Sequence, residues 1–288
     1  MIALLVNPAA RAGRAATRAD AMEAALRMYG PVTRYTTRAR GDEATQVQRA
    51  ISDGASGLVV VGGDGAVHHV VKAMLAESSP IPLAVCAAGT GNDFVKSLGT
   101  PSHDAHALAA MVNRGTTRRV DIGVIDGVPF CNAAGLGFDV EVLNRMQRPS
   151  RLRGTAAYVL TALRALTGYR GIDLALEGHS SARYLMMVFA NGQAFGGAFR
   201  IAPDAALDDG LIDCIQIGAL AVWQRPFVLG AAAFGRHLNH SSVTATRAAH
   251  FTMDFPSPPA FEADGELYHA QSQHIEVTSE SSALEVFA

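Results

Sequence analysis

The segment Val59-Val-Val-Gly62-Gly63-Asp64-Gly65-Ala66-Val67 constrains this chain more than any other. Gly57–Val61 is apolar throughout, as a strand buried on both faces must be. Val67, Val70, Val71 and Met74 then recur at helical spacing, so a helix follows at once. Glycines between a strand and a helix let backbone N–H groups point at open space beside the positive helix end, a geometry that suits phosphate. Asp64 would repel phosphate and suits Mg²⁺ or a water on it. Read alone, the segment is equally a tight turn with an Asp cap.

The same strand, loop, helix unit repeats over the first 120 or so residues, the signature of a parallel sheet with crossover helices. Strands are expected at Ile2–Val6, Val32–Thr36, Gly57–Val61 and Pro82–Ala87. Helices are expected at Arg14–Tyr29, with Ala24, Ala25 and Met28 on one face, and near Asp42–Asp53. From about Arg118 the texture becomes period-2 runs and glycine turns. Strands are expected at Asp121–Ile125, Val128–Ala133, Leu174–Leu176, Tyr184–Ala190, Ile212–Ile217, His250–Phe255 and His274–Ser279, with helices near Ala156–Leu166 and Val222–His237. The boundary should fall between Arg114 and Asp121.

Composition narrows the function classes. A chain of 288 residues, 49% hydrophobic and 17% charged, is globular and long enough for two domains. Its net charge of −2 lacks the basic surplus that nucleic acid demands. Cys86, Cys131 and Cys214 are few and set in apolar runs, which fits reduced thiols in a reducing compartment. The opening run Met1–Val6 is too short for a signal peptide and reads as a buried strand. Leu211 to Gly235 is interrupted by Asp213, Gln216, Gln224 and Arg225, so membrane contact would be peripheral.

A second glycine turn, Ala88-Gly89-Thr90-Gly91-Asn92-Asp93-Phe94, follows the next strand. In a parallel sheet both turns leave carboxyl ends of strands and can face one crevice. The pair Gly62-Gly-Asp-Gly and Gly89-Thr-Gly-Asn-Asp-Phe94 resembles the catalytic domain of diacylglycerol kinases and their bacterial lipid-kinase relatives. The resemblance runs the whole length, through Asn7-Pro8, Asn132-Ala-Ala-Gly-Leu-Gly-Phe-Asp139, Asn191-Gly-Gln-Ala-Phe-Gly-Gly197, Ala202–Leu211 and Asp264-Gly-Glu266. The glycine-rich Asp motif is shared with NAD kinases and phosphofructokinases; the Gly-Thr-Gly-Asn-Asp-Phe and Leu-Asp-Asp-Gly-Leu motifs discriminate.

The resemblance implies an α/β N-terminal domain with a parallel sheet (NAD kinase/diacylglycerol kinase-like), residues 1–118, completed by a C-terminal strand at about 280–288. A β-rich sandwich C-terminal domain, 119–279, would take the lipid, with the nucleotide site between the two. By motif match Asn7, Thr37, Gly62, Gly63, Asp64, Gly65, Ala66, Val67, His68, Thr90 and Asn92 would contact ATP. Asp64 and Asp93 would organise Mg²⁺, Asp264 would accept the proton and Glu266 would support it. A structural Mg²⁺ would sit on the Ala206 carbonyl, the Asp209 carboxylate and the Leu211 carbonyl.

Phosphoryl transfer also needs a carboxylate near the acceptor hydroxyl on chemical grounds. Asp264-Gly265 and Asp208-Asp209-Gly210, read locally, are ordinary turns as well. Where the family has Thr and then Asn-Glu, this chain has Ala66, His68 and His69. The two adjacent histidines point about 100° apart on a helix and read as polar-face residues rather than joint metal ligands. His237 and His240, with no carboxylate pattern beside them, read as surface residues.

No acidic residue separates Arg145, Arg148, Arg151, Arg153, Arg164 and Arg170, and Leu152, Tyr158, Val159, Leu160, Leu163 and Leu166 are interleaved. Such a stretch is either a solvated helix face or a docking segment for an anionic bilayer. The reading is therefore an ATP- and Mg²⁺-dependent lipid kinase, cytoplasmic and peripheral to the inner face of the membrane, without nucleic acid and with a homodimer compatible. Two rivals remain: a soluble-metabolite kinase of the same fold, and a nucleotide- or lipid-binding homologue without turnover.

Overall fold

The computed structural model describes residues 1–8, 14–39, 41–78, 81–146 and 155–288. Two compact units emerge, Met1–Asp121 with Ser282–Ala288, and Ile122–Ser281. No helix among the described residues is long and apolar enough to cross a membrane.

The first unit alternates as the sequence pattern dictates. Its elements are β1 (Ile2–Val6), α1 (Arg14–Arg27), β2 (Val32–Thr36), α2 (Glu43–Ser52), β3 (Gly57–Gly62), α3 (Asp64–Ala76), β4 (Leu83–Ala87), α4 (Asp93–Leu98) and α5 (Ala105–Arg114). The strands form a parallel sheet in the order β4-β3-β1-β2, with Val59 beside Ala84 and Leu4. β3 and β4 are buried along their whole length, which is why they read as unbroken apolar runs. On α1 the buried stripe is Ala15, Ala19, Met22, Ala25 and Leu26. Ala24 and Met28, expected on that face with Ala25, are exposed, because the 15-19-22-26 spacing follows the helical period more closely. α4 and α5 were not anticipated; α5 is capped by the Asp104 carboxylate and ends at Gly115 in the left-handed region.

β5 (Thr117–Ile125) leads into the second unit, which continues with β6 (Val128–Phe130), β7 (Ala133–Gly137), α6 (Phe138–Met146), α7 (Thr155–Ala165), β8 (Ile172–Leu176), β9 (Ala182–Ala190), β10 (Ile212–Gly218), α8 (Arg225–Ala232), β11 (Val243–Ala248), β12 (His250–Asp254), β13 (Ala260–Ala263), β14 (Glu266–His269) and β15 (His274–Phe287). All pairings of β9 are antiparallel: β10 lies along one edge, β7 and β8 along the other. Alternation sorts its side chains into two cores. Met186, Val188 and Ala190 pack with α6, α7 and α8, whereas Met187 and Phe189 pack with Phe130, Phe261, Ile275 and Val277 of other strands. The β-rich half is thus strand layers on one side of β9 and helices on the other.

Three expected elements differ. Val128–Ala133 is broken at Cys131 and Asn132, whose N–H groups serve the Asp264 carboxylate instead of a ladder. Val222–His237 is not one helix: α8 begins beside Pro226 and stops before Gly235, which has φ of +67°, and His237–Asn239 is a separate 3₁₀ turn. His237 is not a surface residue but fully buried, its Nε2 2.9 Å from the Ile201 carbonyl; burial pushes its pKa down.

β15 runs past its expected end at Ser279. Its residues from Ser282 belong to the first unit, where Val286 pairs with Leu83 in parallel and Ser282 N–H donates to Asp121 Oδ1 at 2.7 Å. Phe287 lies over Gly57, where even a Cβ would come within 2.6 Å of the ring. Phe287→Ala should lower the unfolding free energy by about 3 kcal/mol, read from the urea midpoint.

Candidate active site

In the first unit the two glycine turns touch. A Cβ on Gly63 would lie 2.9 Å from Gly89 Cα, and one on Gly89 would lie 2.5 Å from Gly63 Cα, so both positions demand glycine. Ala88 N–H donates to the Gly62 carbonyl at 2.8 Å, extending the strand pairing into the turns. The Asp64 carboxylate then joins them, Oδ2 accepting from Asn92 N–H and Oδ1 from Asp93 N–H, each at 2.7 Å. Asn92 sits in the left-handed region at φ 52°. Its side chain folds back on Gly89, accepting from the N–H and donating to the carbonyl at 3.0 Å each.

Around this junction the other expected residues divide. Thr37 is buried, with N–H bonded to the Val6 carbonyl at 3.0 Å, and Asn7 Nδ2 donates to Glu43 Oε1 at 3.3 Å. Glu43, itself buried, was missed because nothing in its local pattern marks it. Thr90 is exposed. Gly63, Asp64 and Gly65 are half-exposed, whereas Ala66, Val67 and His68 are buried. Val67 N–H is engaged by the Gly63 carbonyl at 3.1 Å inside the helix. His68 is therefore a core residue of α3, not a polar-face one, and His69 is half-buried beside it with ring centroids 5.2 Å apart.

Asp64 Oδ2 and Asp93 Oδ2 both lie around Gly91, 2.6 and 3.7 Å from where a Cβ there would stand. Two carboxylates at one glycine are a hard-oxygen set that fits Mg²⁺, directly or through water. Asp93 Oδ1 also pairs with Lys96 at 2.8 Å.

In the second unit Asp264 and Gly265 are the two-residue loop between β13 and β14, with φ of 50° and 86°, as the hairpin reading of Asp-Gly requires. The Asp264 carboxylate accepts three backbone N–H groups: Cys131 on Oδ2 at 2.8 Å, and Asn132 and Ala133 on Oδ1 at 2.9 and 3.3 Å. Glu266 stands opposite Ala263 in the hairpin, on the face away from Glu262, which pairs with Leu267. Asn191 Nδ2 donates to the Cys131 carbonyl at 2.8 Å and Asn132 Nδ2 to the Ala194 carbonyl at 2.7 Å. The two motif asparagines thus hold the loop that holds Asp264.

Two buried acids beneath this hairpin were not singled out from sequence as site residues. Glu262 Oε2 accepts Gly265 N–H at 2.6 Å. Its Oε1, and Asp139 Oδ2 at the start of α6, converge over Gly135, 3.0 and 1.6 Å from a Cβ placed there. Burial pushes the Asp139 carboxyl up to about 7, the N–H groups of the first helical turn offsetting only part of that.

Ala206, Asp209 and Leu211 share one turn. Asp209 Oδ1 accepts Leu211 N–H at 3.0 Å, and Oδ2 faces Arg247 at 3.7 Å, a guanidinium also bonded to Asp213 and to the Asp204 carbonyl. The turn offers a hard cation one carboxylate and main-chain oxygens, with Arg247 competing for the carboxylate. No cluster of three or more His, Cys, Asp or Glu side chains suited to a metal exists among the described residues, so the His237/His240 spacing builds nothing. Of the basic stretch, Arg148, Arg151, Leu152 and Arg153 lie outside the described residues, as do the side chains of Tyr158 and Val159; Arg164 and Arg170 are exposed and Arg145 pairs with Glu141 at 2.7 Å.

Known proteins resemble this chain in sequence and fold. The family model described as the diacylglycerol kinase catalytic domain matches residues 1–125, and that of the YegS C-terminal NAD kinase beta sandwich-like domain matches 132–288. A Pseudomonas aeruginosa protein named "Probable lipid kinase YegS-like" is 34% identical over 215 residues, 72% of this chain and 67% of its own. A Mycobacterium tuberculosis diacylglycerol kinase is 28% identical over 295 residues, 99% of this chain and 94% of its own. A crystal structure of a diacylglycerol kinase from Bacillus anthracis superposes with TM-score 0.76 at 19% identity, covering 99% and 96% of the two chains.

Two outcomes follow from the geometry. Asp64→Ala strips two N–H groups of their acceptor and should destabilise the first unit by about 3 kcal/mol, measured by denaturant unfolding. Asp139 binds its proton more tightly folded than unfolded, so its contribution is fully present below about pH 4 and is lost as pH rises through about 7. Asp139→Asn should therefore flatten the fall in thermal stability between pH 5 and 8, roughly.

Proposed function

Because the chain belongs to the diacylglycerol kinase catalytic-domain family, we propose that it transfers the γ-phosphoryl group of ATP to the hydroxyl of a membrane lipid, diacylglycerol or a close relative. The observation that carries this reading is the contact of the two glycine turns through Gly63 and Gly89, tied by Asp64. Among the described residues no side-chain hydrogen bond caps α3 at Gly63, and the first N–H groups of a helix lack intrahelical acceptors at its positive end. A triphosphate fits there.

Mg²⁺ would be held by Asp64 and Asp93 and would neutralise charge on the phosphates. A second ion on Ala206, Asp209 and Leu211 would have to draw Asp209 away from Arg247. Asp264 is the group proposed to take the lipid hydroxyl proton as the new O–P bond forms and the bond from the γ-phosphorus to ADP breaks. Its three N–H donors fix the direction in which the carboxylate can act, and Glu266 adds negative charge at the same hairpin. The hydroxyl-bearing acceptors compatible with this chemistry include diacylglycerol, phosphatidylglycerol, a sphingoid base and a polyprenol.

Turnover assayed by ADP release over vesicle lipids and soluble acceptors tests the proposal, with lipid-only turnover expected. Soluble-only turnover identifies a metabolite kinase, and ATP binding without ADP release identifies a homologue that has lost activity. Asp264→Asn is expected to cut kcat by at least about 100-fold while the Kd for ATP stays within a few-fold. Near-normal kcat in that variant would remove Asp264 from the chemistry.

A further inference from the structure

α8 is apolar on two opposite faces, and only one of them is covered. Val228 and Ala232 are buried in the core cluster that also holds Ala162, Ala165 and Leu166. Arg225, also buried, locks that side in place: Nη1 donates to the Leu166 carbonyl and to the Tyr169 carbonyl at 2.8 Å, and Nε to the Leu220 carbonyl at 3.2 Å. At 100° per residue, Trp223, Phe227, Gly230 and Phe234 fall within about 60° of one another on the opposite side of the helix and its one-turn extensions. The large side chains of the three aromatics stand in solvent, Trp223 69%, Phe227 73% and Phe234 75% exposed, with Val222, next to Trp223 in the chain, and Leu163 of α7 about half exposed.

Solvent exposure of three large aromatics on one face is costly for a monomer in water and calls for an occupant. Charge says which. No Asp or Glu occurs between Asp213 and Asp254, or between Glu141 and Asp173, so neither α8 nor α7 carries an acid. Exposed arginines stand on and around these helices instead: Arg236 two residues after Phe234, Arg164 on α7, and, beside the anchored side of α8, Arg170 next to the Tyr169 carbonyl that Arg225 holds and Arg200, whose N–H bonds the Ala232 carbonyl at 2.9 Å. Exposed aromatics on a helix whose neighbourhood carries arginines and no acid match the interfacial and headgroup layers of an anionic bilayer.

We propose that the Trp223–Phe227–Phe234 face of α8 is the surface by which this protein docks on anionic membranes, with Arg164, Arg170, Arg200 and Arg236 on the headgroups. The purpose rests on the lipid-kinase reading, since such an enzyme must meet its acceptor at the bilayer; the surface itself rests on exposure and charge. It shifts the weight of docking from the arginine stretch to a helix whose exposed face the sequence did not mark.

Trp223 is the chain's single tryptophan, so its fluorescence reports on the face directly. The full chain is titrated with vesicles of phosphatidylcholine alone and of equal parts phosphatidylcholine and phosphatidylglycerol, following emission, quenching by brominated lipid and co-sedimentation. Blue-shifted, quenchable emission with anionic vesicles is expected, and F227S with F234S should raise the lipid concentration for half-binding by about tenfold or more. R164Q with R170Q and R236Q should weaken binding to anionic vesicles and leave the residual apolar binding unchanged. No shift with anionic vesicles, equal binding to neutral ones, or unaltered binding in the serine variant overturns the proposal. So does lipid-free blue-shifted emission in a dimer that the serine variant dissociates, which would make the face a subunit interface. Turnover of a short-chain diacylglycerol dispersed as monomers, measured in parallel, should be the same in wild type and serine variant; its absence with docking intact would defeat the kinase reading and not this one.

Discussion

One carboxylate organises the first unit's functional edge. Asp64 begins α3 and accepts the Asn92 and Asp93 N–H groups that begin α4, so the ends of two successive strands are fixed relative to each other by two short charge-assisted bonds. Those bonds are possible only because Gly63 and Gly89 bring their main chains into contact and because Asn92 accepts a left-handed conformation, stabilised by its own bonds to Gly89. Remove the glycines and the carboxylate no longer reaches; remove the carboxylate and buried donors lose their partner.

The second unit uses the same device at a different kind of junction. Asp264 occupies a two-residue hairpin loop at positive φ and gathers the N–H groups of residues 131 to 133. Asn132 and Asn191 brace that loop from behind, and Glu262 holds the Gly265 side of the hairpin. A carboxylate tied by three donors cannot rotate freely, and a group that must take a proton along one direction benefits from that restraint. The cost is paid below, where Glu262 and Asp139 share a buried space over Gly135 that disfavours two charges at once.

How much of this could be read from the residues depended on where each signal resides. The parallel strands were legible because burial on both faces writes itself as runs such as Gly57–Val61, and the antiparallel ones because β9 alternates between two cores. The glycine turns were legible as turns, and Asp264-Gly265 as a hairpin. What could not be read was which partner each polar group would choose: that Asp64 faces N–H groups, that Cys131 and Asn132 leave the ladder for Asp264, or that His68 and His237 lie in the core. Those choices are made by residues 28 to 133 positions away in the chain, and local periodicity carries no record of them. α8 was legible as a helix, but an apolar run shows how much of a helix is hydrophobic and not which half will be covered.

The departures at Ala66, His68 and His69 gain a physical meaning from the packing. Ala66 is buried, and a Cβ on Gly62 would lie 2.6 Å from its own, so the first turn of α3 rides directly on the end of β3. His68 is fully enclosed in the first unit. At residue 66 the hydroxyl of the family's Thr is thereby replaced by a buried methyl group. On the proposed kinase reading, a nucleotide would be held by main chain, the helix end and the Asp64/Asp93 pair, none of which needs a hydroxyl at residue 66. A site built that way tolerates the substitutions in binding, and any deficit should appear in the chemical step, where lost donors would have met developing charge.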